Sequence, residues 1–427
     1  MITRPREEWR GAIPPIAEVV SCIREHMDGL GRLNMLWDYY DGRNSILRRS
    51  RPAGMPNNRL SHGFARYIST MASGYLIGDP VGYSLPEDAP AGQKAALSGI
   101  LRAYEHANLD SVDLELARSA SIYGRGVELA FADDQARPCS IALDPRSAFV
   151  VYDTSAEAAP LFGVQISARK TAVGREDGFM VCVYAPGAIC AYAGPSPLEP
   201  DGEHPLWRRS NPFGMVPMVE FWNSEDERGD FEGVISLLDA YDLLQSDRMN
   251  DKQQFVDALL LLYGCTLETD SRGRSPGQQL REDKVLSLPD CDARAEWLCK
   301  QLNEADTEVL RSAIVSDIHK LSMVPDMTDE AFSGNATGVA MRYKLLGLEQ
   351  LTKTKERWFR EALRQRLRLF SAFLARQGLP ELDVETVRMA FSRALPVNQL
   401  ETAQTIEKLR GLVSDEKLIH LAGFLGE

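Results

Sequence analysis

Apolar residues recur at three- and four-residue spacing at both ends of one long stretch, Asp230–Tyr263, and nearly vanish from its middle. Val234, Leu238, Tyr241 and Leu244 mark the first part, and Phe255, Leu259 and Leu262 the last. From Gln245 to Gln254, Met249 is the only apolar residue. The stretch has no proline, and its one internal glycine, Gly233, falls in the first turn. The pattern predicts one helix over 230–263, roughly 50 Å long at about 1.5 Å per residue, with Asp230 as its amino-terminal cap. A helix that is polar all round does not suit a core. Such a helix bridges two bodies or packs sideways against copies of itself.

Helical periodicity also predicts Ile13–Met27, Leu33–Tyr40, Ala95–Ala107 and Asp110–Tyr123. Within 57–83, Leu60, Phe64, Ile68, Met71 and Tyr75 form one apolar face, ended by Gly78 and Pro80. From Gly126 to Asn223 the pattern shifts to short β-prone runs at 127–131, 140–143, 148–152, 161–167, 179–185, 188–192 and 218–221, separated by turn residues. Beyond the long helix, strands are expected at 265–268 and 284–288. A helix follows over Asn303–Ser322, with Leu310, Ile314, Ile318 and Leu321 on one face. Met323–Thr337 is a breaker-rich loop, Gly338–Gln377 a third long helix and Val384–Phe391 strand-like, and two short helices are expected at 399–412 and 415–424. Helices first and strands second give an α+β class.

The length of 427 residues allows two or three domains, and the 44% apolar and 26% charged fractions are those of a folded chain. No apolar run approaches the roughly 18–20 residues that span a bilayer, and MITRPREEWRG lacks the apolar core of a secretory signal. The seven cysteines are scattered without a C-x-x-C, which reads as reduced thiols of a cytoplasmic protein rather than a disulfide framework or zinc site. A net charge of −13 argues against nucleic-acid binding through a general basic surface. The exception is 338–377, where ten Lys and Arg face three Glu, a net +7 that leaves −20 on the remainder. This belt reads as an interface to acidic surfaces of neighbouring copies, or as a ring facing DNA.

Catalytic signatures are absent. There is no G-x-x-x-x-G-K-[ST], H-E-x-x-H or G-x-S-x-G. Gly124-Arg125-Gly126 reads as a helix-to-strand turn rather than a dinucleotide loop. The six histidines are isolated in sequence, and Cys182/Cys190 and Cys291/Cys299 read as ordinary thiols. Asp326, Asp329 and Glu330 make a hydrated acidic loop in preference to a Mg²⁺ site. No catalytic residue, cofactor or metal is expected.

Several stretches together, in order, resemble the portal (head-to-tail connector) proteins of long-tailed, siphovirus-type double-stranded DNA bacteriophages. They are YYDGRNSILRR (39–49), NNRLSHGFARYISTMASGYLIGDPVGY (57–83), ANLDSVDLELARSASIYGRGVELAF (107–131), the stretch 211–264 beginning NPFGMVPMVEFWNSEDERGDFEGV, and MTDEAFSGNATGVAMRYKLLGLEQLTKTKERWF (327–359), with a weaker match at 394–418. Thr337 stands where members often have Ser, and the end of the chain is short for the family. The resemblance implies a wing (1–229), a first stem helix (230–263), a clip (264–302), a second stem helix (303–322), a tunnel loop (323–337), a long helix under the crown (338–377), and a return strand with a short crown (378–427). It further implies a homododecameric ring at one capsid vertex that passes double-stranded DNA during packaging and ejection. Its implied partners are the terminase large subunit, a head-completion or adaptor protein, and the major capsid and scaffolding proteins. No membrane is involved, and the location is the virion, with the host cytoplasm during assembly.

On that reading Val324, Asp326, Met327, Asp329, Glu330 and Phe332 line the DNA passage. Asp247, Arg248, Asp251 and Lys252 lie at a stem subunit boundary, and Arg272, Arg274 and Lys284 contact clip partners. Two other readings compete: a ring adaptor of a domesticated phage-derived particle, and an enzyme with its site in 126–223.

Overall fold

The computed structural model describes residues 1–6, 13–53, 55–255, 259–263, 269, 275, 294–298, 304–327, 343–393 and 407–408. Helices lead: α1 (Ile16–Asp28), α2 (Leu30–Tyr40), α3 (Phe64–Ile77), α4 (Ala91–His106) and α5 (Leu109–Tyr123). Gly124 ends α5 at φ +88°, and a Cβ there would lie 2.0 Å from the Glu227 carbonyl oxygen. Glycine is therefore required, and Gly124-Arg125-Gly126 is a helix-to-strand turn.

Among the described residues the strands form four sheets. β1 (Ile2–Arg4), β5 (Ala148–Asp153), β6 (Pro160–Lys170), β7 (Glu176–Tyr184), β8 (Ala188–Gly194) and β9 (Trp207–Ser210) make one sheet in the order β1-β5-β6-β7-β8-β9. Its pairs are antiparallel except β1 with β5. β3 (Arg125–Ala132) lies between β4 (Pro138–Leu143) and β10 (Met218–Trp222). β2 (Gly82–Ser84) pairs with β13 (Arg388–Ala390), so only part of the strand expected at 384–391 forms. The mixed, segregated order is the expected α+β arrangement.

The chain divides into two units, described here separately: Met1–Arg43, Gly63–Ile235 and Ile318–Glu427 form the first, and Asn44–His62 with Ser236–Asp317 the second. In the first unit, α1 buries Val19, Cys22 and Ile23 against Phe149, Val151, Phe162 and Val164 of the large sheet. His26 joins this layer, stacked on Phe149 at 4.5 Å with its Nε2 3.1 Å from the Arg146 carbonyl oxygen. Burial pushes its pKa down to about 4, so the ring stays neutral. A second core joins α3, α4 and α5 to α8 (Leu346–Arg376), through Leu97, Ile100, Leu116, Phe359, Leu363, Leu367 and Phe370.

Three sequence expectations change. The long helix does not reach Tyr263: α6 spans Ile235–Phe255 after a 3-10 turn at Glu232–Val234, and Leu259–Tyr263 is β11, antiparallel to β12 (Arg294–Leu298). A run of five apolar residues carries no period that separates helix from strand, and pairing with β12 decides it. Asp230 is not a helix cap. Its carboxylate accepts the Ser121 hydroxyl and the Asn223 amide and pairs with buried Lys355. The basic belt is also partly internal. Lys355 and Arg366 are buried, and Arg360, Arg364 and Arg368 pair with Glu356, Glu361 and Glu385 of the same chain. The expected helix at 303–322 is α7 (Glu304–Ser322), and α8 begins at Leu346. Expected strands 265–268 and 284–288 and most of the two last helices lie outside the described residues.

Arg366 is the largest fully buried side chain among the described residues. Its Nη1 lies 2.6 Å from Asp113 of α5 and its Nε 2.6 Å from Glu128 of β3. Tyr104 and Phe221 flank the guanidinium at 5.8 and 5.3 Å from their ring centres. One cation here faces two carboxylates. Burial consequently outweighs the attraction of Arg366 and raises the Asp113 pKa to about 6. Arg366→Leu leaves both carboxylates buried and uncompensated, and we expect a loss of about 3–5 kcal/mol in urea unfolding. The pH dependence follows from the raised pKa. The native state holds the Asp113 proton more tightly than the unfolded chain, so this stabilisation is complete below about pH 4 and lost as pH rises through about 6. Relative to Asp113→Asn, the natural chain should weaken across that window; parallel profiles would refute the assignment.

Candidate functional site

The polar middle of α6 has a packing partner in its own chain. Segment 58–62 has no regular structure and needs acceptors for its backbone N–H groups. α6 supplies them at four-residue spacing. Asn250 Oδ1 accepts from Asn58 N (2.7 Å), Ser246 Oγ from Leu60 N (2.9 Å) and Asp242 Oδ1 from His62 N (3.0 Å). Four helical residues rise about 6 Å and two extended residues about 6.6 Å, so the two ladders stay in step. Asp242, Ser246 and Asn250 are all buried. The expectation that so polar a helix bridges two bodies or packs against copies of itself did not foresee this seam: one polar face is internal.

Further polar contacts extend this seam. Asn44 Nδ2 and His62 Nδ1 reach Asp242 at 2.5 and 2.7 Å, Ser45 donates to Asp239 at 2.6 Å, and Asn58 also donates to Gln253 at 2.8 Å. Desolvation raises the Asp242 pKa, against these hydrogen bonds. Asp247 accepts from Arg49 at 2.7 Å and also from Arg51.

Another side of α6 meets α7. Arg248 reaches Glu304 at 2.8 Å and Glu308 at 3.1 Å, and Lys252 reaches Glu304 at 3.2 Å. Hydrogen bonds from Lys252 and Arg248 hold the Glu304 carboxyl below its ordinary range, and those from Arg311 at 2.7 Å and Arg248 do the same for Glu308. Of the residues expected at a stem boundary, Asp247, Arg248 and Lys252 thus have partners within the chain, and Asp251 is half-buried. The expected apolar face of α7 is largely open: Leu310 and Leu321 are 51% and 62% exposed, and only Ile318 is buried among the four.

The start of the acidic loop is anchored in the first unit. His319 Nδ1 donates to the Val324 carbonyl at 2.9 Å. The Tyr67 hydroxyl of α3 donates to Pro325 O at 2.8 Å and accepts Met327 N at 2.9 Å. Phe64 and Tyr67 meet the His319 ring edge-to-face at 6.0 and 5.7 Å. Val324 is fully buried, so in this arrangement it anchors the loop and does not line a passage. Asp326 and Met327 are half-buried. Asp329, Glu330, Phe332, Arg272, Arg274 and Lys284 lie outside the described residues. In 126–223, the region of the competing enzymatic reading, the buried Glu128 and Glu220 face Arg366 and Arg125.

Sequence reasoning missed Asn58, Leu60, His62, Tyr67 and His319. The Asp-Ser-Asn ladder at 242, 246 and 250 was the available signal for the first three.

Residues 21–427 match the family described as phage portal protein, SPP1 Gp6-like. The portal protein of Bacillus phage SPP1 is 22% identical over 385 residues, covering 85% of this chain and 72% of that protein. The portal protein of Clostridium phage phiCD119 is 24% identical over 205 residues, 47% of this chain and 44% of that one. Among solved structures, a chain from the neck of an empty GTA particle, computed with C6 symmetry, aligns with a TM-score of 0.47 at 13% identity, covering 84% of this chain and 90% of that chain. A chain from the virion of a native gene transfer agent particle has the same TM-score at 12% identity, with coverages of 84% and 89%.

Asn250→Ala removes the acceptor of the Asn58 N–H and leaves that group unsatisfied, a cost of roughly 1–3 kcal/mol. The segment should open locally, and trypsin should cut at Arg49 and Arg59 faster than in the natural chain. An unchanged cleavage rate would remove the seam from its assigned role.

Proposed function

The chain belongs to the SPP1 Gp6-like family of phage portal proteins, a structural family of the virion rather than a catalytic one, and from that premise we propose that copies of it close into a dodecameric ring at one capsid vertex. The ring conducts double-stranded DNA during packaging and ejection. It docks the terminase large subunit, later a head-completion or adaptor protein, and meets the major capsid and scaffolding proteins. In this reading 1–229 is the wing, α6 and α7 are the stem, 264–302 is the clip, 323–337 is the tunnel loop, α8 is the long helix under the crown, and 378–427 holds the wing-return strand and the crown.

The observation that carries the proposal is the family match over residues 21–427. The stem helices add a physical reason for lateral association. Leu243 and Met249 of α6 and Val309 and Leu310 of α7 are between 44% and 70% exposed. Neighbouring copies would cover them, and each Å² of apolar surface removed from water stabilises by about 25 cal/mol. Asp247, Arg248, Asp251 and Lys252 would lie beside that boundary. Because Asp247, Arg248 and Lys252 are engaged in ion pairs within the chain, apolar burial dominates the interface and exposed ion pairs add about 0–1 kcal/mol each. Arg272, Arg274 and Lys284 are proposed contacts for the clip's partners.

Negative-stain microscopy of the purified protein should display rings with a central hole, and they should persist in 1 M NaCl, where screening acts within about 3 Å. Monodisperse monomers at high concentration would overturn the ring; dissociation by salt alone would overturn the apolar interface.

The loop suits passage rather than grip. Asp326, Asp329 and Glu330 are acidic, and no Lys or Arg lies between Met323 and Gly338. Each phosphate that a protein neutralises adds salt-dependent affinity, which would turn a conduit into a clamp. The double change Asp329→Lys with Glu330→Lys should slow DNA packaging in vitro, with ring assembly intact. Packaging at the natural rate would dismiss the loop as the contact.

A further inference from the structure

The cysteines show no zinc spacing along the chain, yet the fold sets one of them beside a histidine and a carboxylate. His106 lies in the last turn of α4, Asp133 in the turn between β3 and β4, and Cys139 on β4. One ligand atom from each lies within 4.8 Å of the other two. His106 Nε2 is 3.5 Å from Asp133 Oδ2.

The turn fixes the carboxylate before any ligand arrives. Asp133 Oδ1 accepts the backbone N–H of Gln135 at 2.9 Å and of Arg137 at 2.8 Å. Asp133 N donates to Arg137 O at 3.0 Å, and Gln377 of the segment after α8 donates to Ala136 O at 2.6 Å. The backbone N–H of Arg137 leads the effects that hold the Asp133 pKa at about 2, so the carboxylate is charged at neutral pH. Arg137 Nε and Nη2 also reach Oδ2, at 2.8 and 2.7 Å, so a metal here must displace this guanidinium, whose side chain is 43% exposed.

We propose that His106, Asp133 and Cys139 bind a divalent transition metal of the zinc type, clamping the end of α4 to the β3–β4 hairpin. Imidazole, thiolate and carboxylate suit Zn²⁺ and Co²⁺, whereas Mg²⁺ and Ca²⁺ take oxygen ligands. Bonds of about 2.0–2.3 Å require the three atoms to draw together, which rotation of the exposed His106 and half-buried Cys139 side chains allows. Water fills the fourth position. The thiol gives up its proton to solvent as the metal–sulfur bond forms.

The test is a titration of the full chain with Co²⁺, reduced by a phosphine, followed by Zn²⁺ competition. A sulfur-to-cobalt charge-transfer band should appear, and Zn²⁺ should abolish it. Cys139→Ser should lose the band and His106→Gln should weaken it, with far-UV circular dichroism unchanged. Zn²⁺ should raise the melting temperature of the natural chain and leave Cys139→Ser unmoved. Absence of the band in the natural chain, or its survival in Cys139→Ser, which would assign it to other cysteines, overturns the site.

Discussion

Every backbone N–H removed from water needs an acceptor, and in the second unit that requirement sets the structure. Segment 58–62 has no strand to pair with, so its alternate N–H groups turn to the side chains of α6. The match works because one helical turn and two extended residues advance by nearly the same distance. Asp242, Ser246 and Asn250 therefore cannot be apolar, although all three are buried. The same helix then turns Arg248 and Lys252 toward α7. Its polarity is divided between two partners in the chain, and its exposed leucine and methionine remain for contacts outside it.

The first unit obeys the same rule with full charges. Arg366 brings α5, β3 and α8 together, and Lys355 joins α8 to Asp230, just ahead of the turn into α6. Such pairs add little net stability over a well-packed apolar alternative, but losing one partner is costly. Their effect is one of registration. α8 can slide or rotate only by stranding Asp113, Glu128 or Asp230 without a cation.

Much of the fold was legible because it rests on local pattern. The helices of 13–123, the strands of 126–223 other than β9, α7 and most of α8 follow from periodicity and breakers. Failures occurred where a distant partner decides. Leu259–Tyr263 is equally apolar as helix or strand, and β12, more than thirty residues on, settles it. The middle of α6 reads as solvent-facing because hydropathy does not distinguish a hydrated Asn from one accepting a buried N–H. Arg366 and Lys355 look like their surface neighbours on α8, since their carboxylates come from other elements. The loop's acidity was visible in sequence; its anchoring by Tyr67 and His319 was not, because those contacts exist only in the folded chain.

This redistribution of charge changes how the chain would treat a duplex. A segment, 338–377, with ten cations suggests a DNA-binding ring, but of the eight on α8, Lys355 and Arg366 are internal and Arg360, Arg364 and Arg368 each face a glutamate of the same chain. α8 consequently offers less positive charge than its composition implies, and the net −13 remains the character of each subunit. In a ring that charge repeats around the axis. At physiological salt its reach is about 8 Å, so repulsion acts only on DNA close to the wall. In the proposed ring such a wall would centre a polyanion without holding it, and would keep phosphate neutralisation, the main source of adhesion, to a minimum.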